Sequence, residues 1–174
     1  MPQLSPRLCE AINEQIKNEI SSAYLYLAMS TECSARSLNG AAHWLRRQWD
    51  EELAHATKLI DYMDERGVKS EFQSIPAPEF KFEGLLALFE QALAHEQKVT
   101  LSINGLMEKA IQEQDHAAQI FLQWFVTEQI EEENSTEEVV EMLRLAGDDG
   151  SALLIIDQRL GARTAEANAE EAEA

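Results

Sequence analysis

Long stretches without helix-breaking residues are the feature that most restricts the fold of this chain. The sequence has 174 residues but 7 glycines and 4 prolines, and these are widely separated. Because glycine and proline are the strongest signals for turns and helix ends, the segments between them are predicted to be long helices. The predicted helices span residues 6–36, 40–66, 83–111 and 115–146, followed by a short fifth helix at 151–160.

A proline-containing segment separates the second and third predicted helices. Residues 67–82 include Pro76 and Pro78, and a connection this long between helices is uncommon. It is long enough to cross a bundle of roughly 40 Å, given 1.5 Å per helical residue. Long amphipathic helices bury their apolar stripes by packing side by side. The sequence therefore predicts an all-α four-helix bundle with one long crossover plus a short fifth C-terminal helix. Residues 1–161 are assigned to this domain and 162–174 to an acidic, disordered tail.

The charge of the chain excludes some partners. There are 32 Asp and Glu residues against 14 Lys and Arg, for a formal net charge of -18. Such a chain repels nucleic acid and anionic membrane surfaces and attracts cations. No apolar run approaches the length of a membrane span, and the N-terminus lacks the pattern of a secretory signal. Cys9 and Cys33 do not have metal-binding spacing, so we interpret them as reduced thiols and expect a cytoplasmic protein.

Polar residues interrupt each apolar stripe near the midpoint of its helix. The interrupting residues are Glu19 in the first helix, Glu52 and His55 in the second, Glu96 in the third, and Gln129 and Glu132 in the fourth. Helices of similar length that pack side by side bring their midpoints to one level. We therefore expect these side chains to meet in one layer inside the bundle.

Four buried carboxylates need compensating charge. Desolvation costs several kcal/mol per ion, and like charges in one site raise the pKa of each other. Two divalent cations balance four carboxylates, and oxygen ligands with one imidazole suit Fe(II), Mn(II) or Zn(II). Each residue alone has an ordinary alternative, since a single Glu often reaches solvent and a single His is often a core residue. Their coincidence at four midpoints favours the metal site.

At these residues the sequence resembles the ferritins, in particular the bacterial non-haem type. The segments that carry the resemblance are residues 13–30, 40–56, 77–84, 95–104 and 121–133, the last reading FLQWFVTEQIEEE. The resemblance implies a ferritin-like bundle that binds two irons between its helices. It covers nearly all of residues 4–160.

The resemblance also implies roles for individual residues. The first iron is expected on Glu19, Glu52 and His55, with Glu52 bridging to a second iron. The second iron is expected on Glu96, with Gln129 and Glu132 beside it.

An accessory third iron site is implied on the cavity side of the bundle. Its expected residues are Glu51, Glu128 and Glu131, with Glu132 shared between the two sites. A solvated acidic face is the alternative for the Glu131–Glu133 run. Tyr26 matches a tyrosine beside the iron pair that donates an electron or a hydrogen bond, with plain packing as the alternative. Trp124 is interpreted as a core residue.

Two departures from related families refine the prediction. The fourth helix has Gln129 and Glu132 where bacterioferritins repeat a Glu-x-x-His motif, which argues against a permanently held catalytic iron pair. Leu53 occupies the position of the haem-ligating methionine in bacterioferritins, so no haem is expected.

The predicted function is iron storage and detoxification. The chain is expected to act as a ferroxidase, which oxidises Fe(II) with O2 or peroxide and deposits ferric oxide in the cavity of a homo-oligomeric cage, which the resemblance to ferritins implies has twenty-four subunits. Three alternatives stay open. A stand-alone oxidase or peroxidase like the rubrerythrins normally carries a four-cysteine iron domain, which two distant cysteines do not supply. A metal-free acidic helical scaffold would not be stabilised by iron. A subunit that assembles without catalysing would not need the full ligand set.

Overall fold

The computed structural model describes residues 4–171, with side chains described up to residue 162, and the described residues form five helices and no strands. The helices are α1 (Pro6–Ala35), α2 (Asn39–Glu65), α3 (Leu85–Gln112), α4 (His116–Ala146) and α5 (Gly150–Glu171). The bounds of the first four agree with the sequence prediction to within about two residues, the usual uncertainty of helix ends. None of the described helices is long and apolar enough to cross a membrane.

Local sequence explains several helix ends. The Ser5 hydroxyl accepts a hydrogen bond from the Leu8 amide at 3.2 Å, and Pro6 occupies the first position of α1, as expected for an N-terminal cap. The Asp115 carboxylate caps α4 in the same way, accepting from the Ala118 amide at 3.0 Å. Gly147, which follows α4, has a φ of 55°, a backbone conformation that favours glycine.

Contacts between helices define the topology. Asn18 of α1 faces Ser102 of α3, and Tyr26 faces Glu96, so α1 and α3 run antiparallel. The short turn after α1 makes α1 and α2 antiparallel as well, and therefore α2 and α3 run in the same direction. The connection between Glu65 and Leu85 must return along the whole bundle. The predicted long crossover is confirmed.

The hydrophobic core consists of two clusters rather than one. One cluster surrounds Leu45, Phe89 and Leu143 near one end of the bundle. The other surrounds Leu59 and Ile103 together with neighbouring apolar side chains towards the opposite end. The polar residues predicted to meet at mid-height lie between these two clusters.

The fifth helix is longer than predicted. The sequence placed its end at Gly161, but α5 continues to Glu171. Gly161 is a close-packing position rather than a helix stop, since a Cβ placed there would lie 3.3 Å from Gly40 Cα. The assignment of 162–174 to a disordered tail outside the domain stays a prediction, and residues 172–174 lie outside the described part of the chain.

The described part of α5 packs on its own bundle and caps α2. Asp157 accepts hydrogen bonds from the Gly40 amide at 3.1 Å and from the Ala41 amide at 2.8 Å. The N-cap residue Leu38 makes no side-chain cap, so Asp157 supplies the acceptor that the N-terminus of α2 requires. Leu160 is buried in the core, whereas Ile155 is exposed. One face of α5 is therefore covered by the bundle and the other is not.

Replacing Gly40 by alanine is expected to displace α5. The added Cβ would lie 1.6 Å from the Asp157 carbonyl oxygen. Overpacking of this kind costs about 1–3 kcal/mol, so the apoprotein should melt several degrees lower by differential scanning calorimetry. Gly105→Ala is the matched control, because nothing lies within 4 Å of its added Cβ and alanine favours a helix by ~1 kcal/mol. Equal melting temperatures for the two variants would contradict the prediction.

Candidate metal centre

The polar side chains predicted to converge do meet inside the bundle, and all of them are buried. Exposed fractions are 1% for Glu19, 1% for Glu52, 3% for His55, 0% for Glu96, 3% for Gln129 and 6% for Glu132. They come from four different helices. The ligand atoms of Glu19, Glu52 and His55 form one close group and Glu132 joins His55 in a second, whereas Glu96 belongs to neither group of the described side chains and contacts Tyr26 and Gln129.

Glu19, Glu52 and His55 form one half of the centre. Their ligand atoms all lie within 4.8 Å of one another. His55 Nδ1 is 3.8 Å from Glu19 Oε2 and 3.6 Å from Glu52 Oε2. The Glu52–His55 spacing of three residues places both side chains on one face of α2.

Four atoms in this half have no hydrogen-bond partner among the described residues. They are Glu19 Oε2, Glu52 Oε1, Glu52 Oε2 and His55 Nδ1. Buried polar atoms are satisfied in the great majority of cases, and leaving one bare costs free energy. Three carboxylate oxygens and an imidazole nitrogen that face one another are the donor set of a divalent cation.

Glu96 forms the other half of the centre and is held from two sides. The Tyr26 hydroxyl donates a hydrogen bond to Glu96 Oε1. Gln129 Nε2 lies 3.3 Å from Glu96 Oε2 and 3.3 Å from Thr100 Oγ1. Tyr26 is thus a hydrogen-bond donor to a predicted ligand. Gln129 likewise donates a hydrogen bond to Glu96.

Burial changes the acidity of these groups. Desolvation, followed by the charges of Glu19 and Glu96, raises the pKa of Glu52 well above its usual value of 4.5. Desolvation and the charge of Glu96 likewise raise the pKa of Glu132. Desolvation opposes ionisation of Glu19, but its polar neighbours His55, Glu52 and Gln15 together outweigh this effect and lower the pKa of Glu19. Without metal, the centre therefore holds protons that a bound cation would displace.

Two buried glutamines in the centre were not predicted from the sequence. Gln15 Nε2 donates to Glu19 Oε1 at 2.7 Å, which satisfies one oxygen of that carboxylate. Gln48 Nε2 donates to Glu132 Oε2 at 2.9 Å and to Glu51 Oε2 at 2.6 Å. Such partners orient metal ligands. The signal in the sequence was that Gln15 and Gln48 each lie four residues before a predicted ligand.

The predicted accessory site is reproduced in part. Ligand atoms of His55, Glu128 and Glu132 lie within 4.8 Å of one another. Glu51 is connected to this group through Gln48. Glu131 is exposed and belongs to neither of the ligand groups formed by the described side chains. A third iron on these residues stays a prediction.

Trp124 differs from its prediction as a core residue. Its side chain is 38% exposed, and Lys58 Nζ lies 4.2 Å from the centroid of its ring. Trp124 packs against His55 in a T-shaped arrangement, with ring centroids 5.4 Å apart. Trp124 therefore separates His55 from solvent on the α2–α4 face.

Comparison with known proteins decides the family. Residues 9–146 match the model of the Ferritin-like domain. The chain belongs to the ferritin family. Among its relatives, the bacterial non-heme ferritin of Staphylococcus aureus strain USA300 is 39% identical over 161 residues, which is 92% of this chain and 97% of the relative. That of Staphylococcus haemolyticus is 40% identical with the same coverage. The predicted resemblance to the bacterial non-haem type is confirmed.

Solved ferritins also share the fold. An open pore ferritin from the archaeon Archaeoglobus fulgidus is 45% identical, with a TM-score of 0.90 over 91% of this chain and 98% of the other. A humanized archaeal ferritin is 46% identical, also with a TM-score of 0.90, over 91% of this chain and 96% of the other. The bundle with its long crossover is thus the ferritin fold, as predicted.

Proposed function

We propose that this ferritin stores iron, and that it oxidises Fe(II) as its substrate at the buried centre between the helices. The observation that carries the proposal is the set of four facing atoms on Glu19, Glu52 and His55 that have no hydrogen-bond partner among the described residues. A structural ion pair would satisfy these atoms, whereas a transient cation site must leave them free for the cation. Membership of the ferritin family supports iron as that cation.

The chain provides two adjoining cation positions. Glu19, Glu52 and His55 would hold the first Fe(II), and Glu96 with Glu132 the second, with Glu52 between them. Each Fe(II) loses one electron to a shared O2, which takes two protons and becomes hydrogen peroxide; with peroxide as the oxidant, water is formed instead. Carboxylates change coordination readily, which allows Fe(III) to leave.

The residues around the ligands hold them in place during this reaction. Gln15 fixes one oxygen of Glu19, Tyr26 fixes one oxygen of Glu96, and Gln48 fixes Glu132. Burial raises the pKa of Tyr26 well above its usual value of 10, so this hydroxyl stays a proton donor at neutral pH. The two core clusters on either side exclude bulk water from the layer.

The test is to soak crystals of the apoprotein in Fe(II) without oxygen, expose them briefly to air, and locate iron by anomalous scattering. Two irons per subunit are expected between the four helices. Fe(II) oxidation in solution should exceed the spontaneous rate. If no iron were found in the buried polar layer between the four helices, the proposal would be wrong.

A third iron is expected on the accessory residues, and Glu51→Gln should remove it. The substitution replaces one of the two carboxylates that accept hydrogen bonds from Gln48 by a neutral amide, which is a poorer ligand for iron. Anomalous maps of Glu51→Gln should retain the two central irons and lose the third. Asp50→Asn, the exposed neighbouring acid, is the control and should keep all three. Retention of the third iron in Glu51→Gln would exclude Glu51 from the site.

We propose that the subunits assemble into a cage of twenty-four copies. Several large apolar side chains are exposed on the single chain, namely Leu101, Ile120, Leu145, Leu154 and Ile155. Exposed apolar surface of this kind marks contact sites, and burial against other copies would remove it from water. Mass photometry should therefore give a particle of about twenty-four times the 19.6 kDa chain mass. A monomer or dimer would contradict the cage.

A further inference from the structure

The two ring nitrogens of His55 face two different acidic groups. Nδ1 points to the di-iron side, 3.8 Å from Glu19 Oε2 and 3.6 Å from Glu52 Oε2. Nε2 points to the accessory side, 4.0 Å from Glu128 Oε1. Packing fixes the ring, because it is 3% exposed and makes T-shaped contacts with Trp124 and Phe125.

Metal binding places a requirement on the proton of this ring. A neutral imidazole has one nitrogen that donates and one that accepts, and a metal needs the nitrogen without the proton. His55 Nδ1 has no hydrogen-bond partner among the described residues, which suits the nitrogen that receives the cation. The proton must then lie on Nε2. Nε2 faces the carboxylate of Glu128, and Glu132 lies in the same group of ligand atoms but already accepts a hydrogen bond from Gln48.

Glu128 is placed to act as a hydrogen-bond acceptor for that proton. Its side chain is 27% exposed, so it lies at the boundary between the dry layer and solvent. The 4.0 Å separation is longer than a hydrogen bond, but hydrogen bonds in unloaded sites often shorten when the ligand binds. A carboxylate behind a metal-binding histidine fixes both its tautomer and its orientation.

We propose that Glu128 is a positioning residue for His55, in addition to its expected part in the accessory iron site. By accepting the Nε2 proton, it keeps Nδ1 bare and directed at Glu19 and Glu52. The inference rests on the function proposed above and makes the accessory group and the di-iron centre share one side chain. Glu131 differs from Glu128, because it is exposed and is not part of the ligand group that His55, Glu128 and Glu132 form among the described residues.

The test uses two substitutions at each acid. Glu128→Gln keeps an oxygen that can accept the Nε2 proton, whereas Glu128→Leu does not. Glu108→Gln and Glu108→Leu, at an exposed acid of α3, are the matched control pair. Anaerobic Co(II) titration, followed through the visible absorption of the bound ion, measures the affinity for the first cation in each subunit.

Glu128→Leu should weaken the first Co(II) affinity by about 10–100-fold, the usual cost of losing an orienting partner. Glu128→Gln and both Glu108 variants should bind the first Co(II) within a few-fold of the unmodified protein. Normal affinity in Glu128→Leu would overturn the inference. So would equal losses in Glu128→Leu and Glu128→Gln, because the charge and not the accepted hydrogen bond would then be responsible. An equal loss in Glu108→Leu would also overturn it, because the effect would not be specific to Glu128.

A second measurement needs no metal. Solid-state NMR of 15N-histidine-labelled apoprotein reports which nitrogen of each of the 4 histidines carries the proton, and His55→Asn identifies the His55 signals. The unmodified protein and Glu128→Gln should show His55 protonated at Nε2, and Glu128→Leu should show a mixture of both tautomers. Protonation at Nδ1 in the unmodified protein would overturn the inference. If Co(II) does not bind at all, the proposed function fails, and the tautomer still decides the role of Glu128.

Discussion

Replacing Glu52 by glutamine is expected to reduce the rate of Fe(II) oxidation by at least ~100-fold, towards the spontaneous rate. Both oxygens of Glu52 are buried and have no hydrogen-bond partner within the described part of the chain, and the residue lies between the two proposed iron positions. Loss of an orienting partner alone typically costs 10–100-fold, so loss of a bridging ligand should cost more. Stopped-flow absorbance of the ferric product after mixing with Fe(II) and oxygen measures the rate.

Two variants make this result specific. Glu108→Gln changes an exposed acid of α3 in the same way and should oxidise Fe(II) at the unmodified rate. His55→Gln removes the nitrogen ligand and should show a loss comparable to that of Glu52→Gln. If Glu52→Gln oxidised Fe(II) normally while remaining folded, oxidation would take place elsewhere on the protein, for example at a mineral surface.

The helices and the polar layer were predictable because each depends on local sequence. Glycine and proline residues mark the ends of the helices, and apolar residues at spacings of three and four define the buried face of each helix. Glu19, Glu52 and Glu96 interrupt that face near the same height, so their meeting follows from helix length alone. A charged residue within an apolar helix face can be recognised from the sequence alone, without knowledge of its neighbours in the folded protein.

Features that depend on contacts between distant segments were missed. Asp157 caps the N-terminus of α2 across more than a hundred residues of sequence. Gly161 appeared to end α5, yet its function is close packing against Gly40. Gln48 lies in an apolar stripe, but only the proximity of Glu51 and Glu132 reveals what its amide binds. Helix propensity also favours continuation of α5, since alanine and glutamate dominate its last turns.

The same buried acids should make the apoprotein less stable at neutral pH than at mildly acidic pH. Burial raises the pKa of Glu52 and of Glu132 above their usual 4.5, whereas the unfolded chain keeps the ordinary value. As pH rises above 4.5, these groups ionise in the unfolded chain and stay protonated in the folded one. The folded state then binds more protons, so its stability falls until pH passes the raised folded pKa.

Glu52→Gln should therefore raise the melting temperature of the apoprotein by several degrees at pH 7. Each unit of pKa shift corresponds to ~1.4 kcal/mol, and 1 kcal/mol moves the melting temperature of a chain of this size by about 2–4 °C. The difference between variant and unmodified protein should shrink near pH 4.5, where the carboxyl group is protonated in both states. Calorimetry of metal-stripped samples between pH 4.5 and 8 measures this, with Glu108→Gln as the control that should not shift.

Bound metal should make the unmodified protein more stable than Glu52→Gln, the reverse of the order expected for the two apoproteins. Zn(II), which does not change oxidation state, binds the folded ligand set of the unmodified protein and raises its melting temperature in proportion to the logarithm of metal concentration. Glu52→Gln has lost a ligand, so it should gain less and become the less stable of the two in excess Zn(II). An unchanged melting temperature with Zn(II) in both proteins would support a metal-free acidic scaffold instead. The order of stability of the unmodified protein and Glu52→Gln should reverse with Zn(II) only if the acids that destabilise the apoprotein are also the ones that bind the cation.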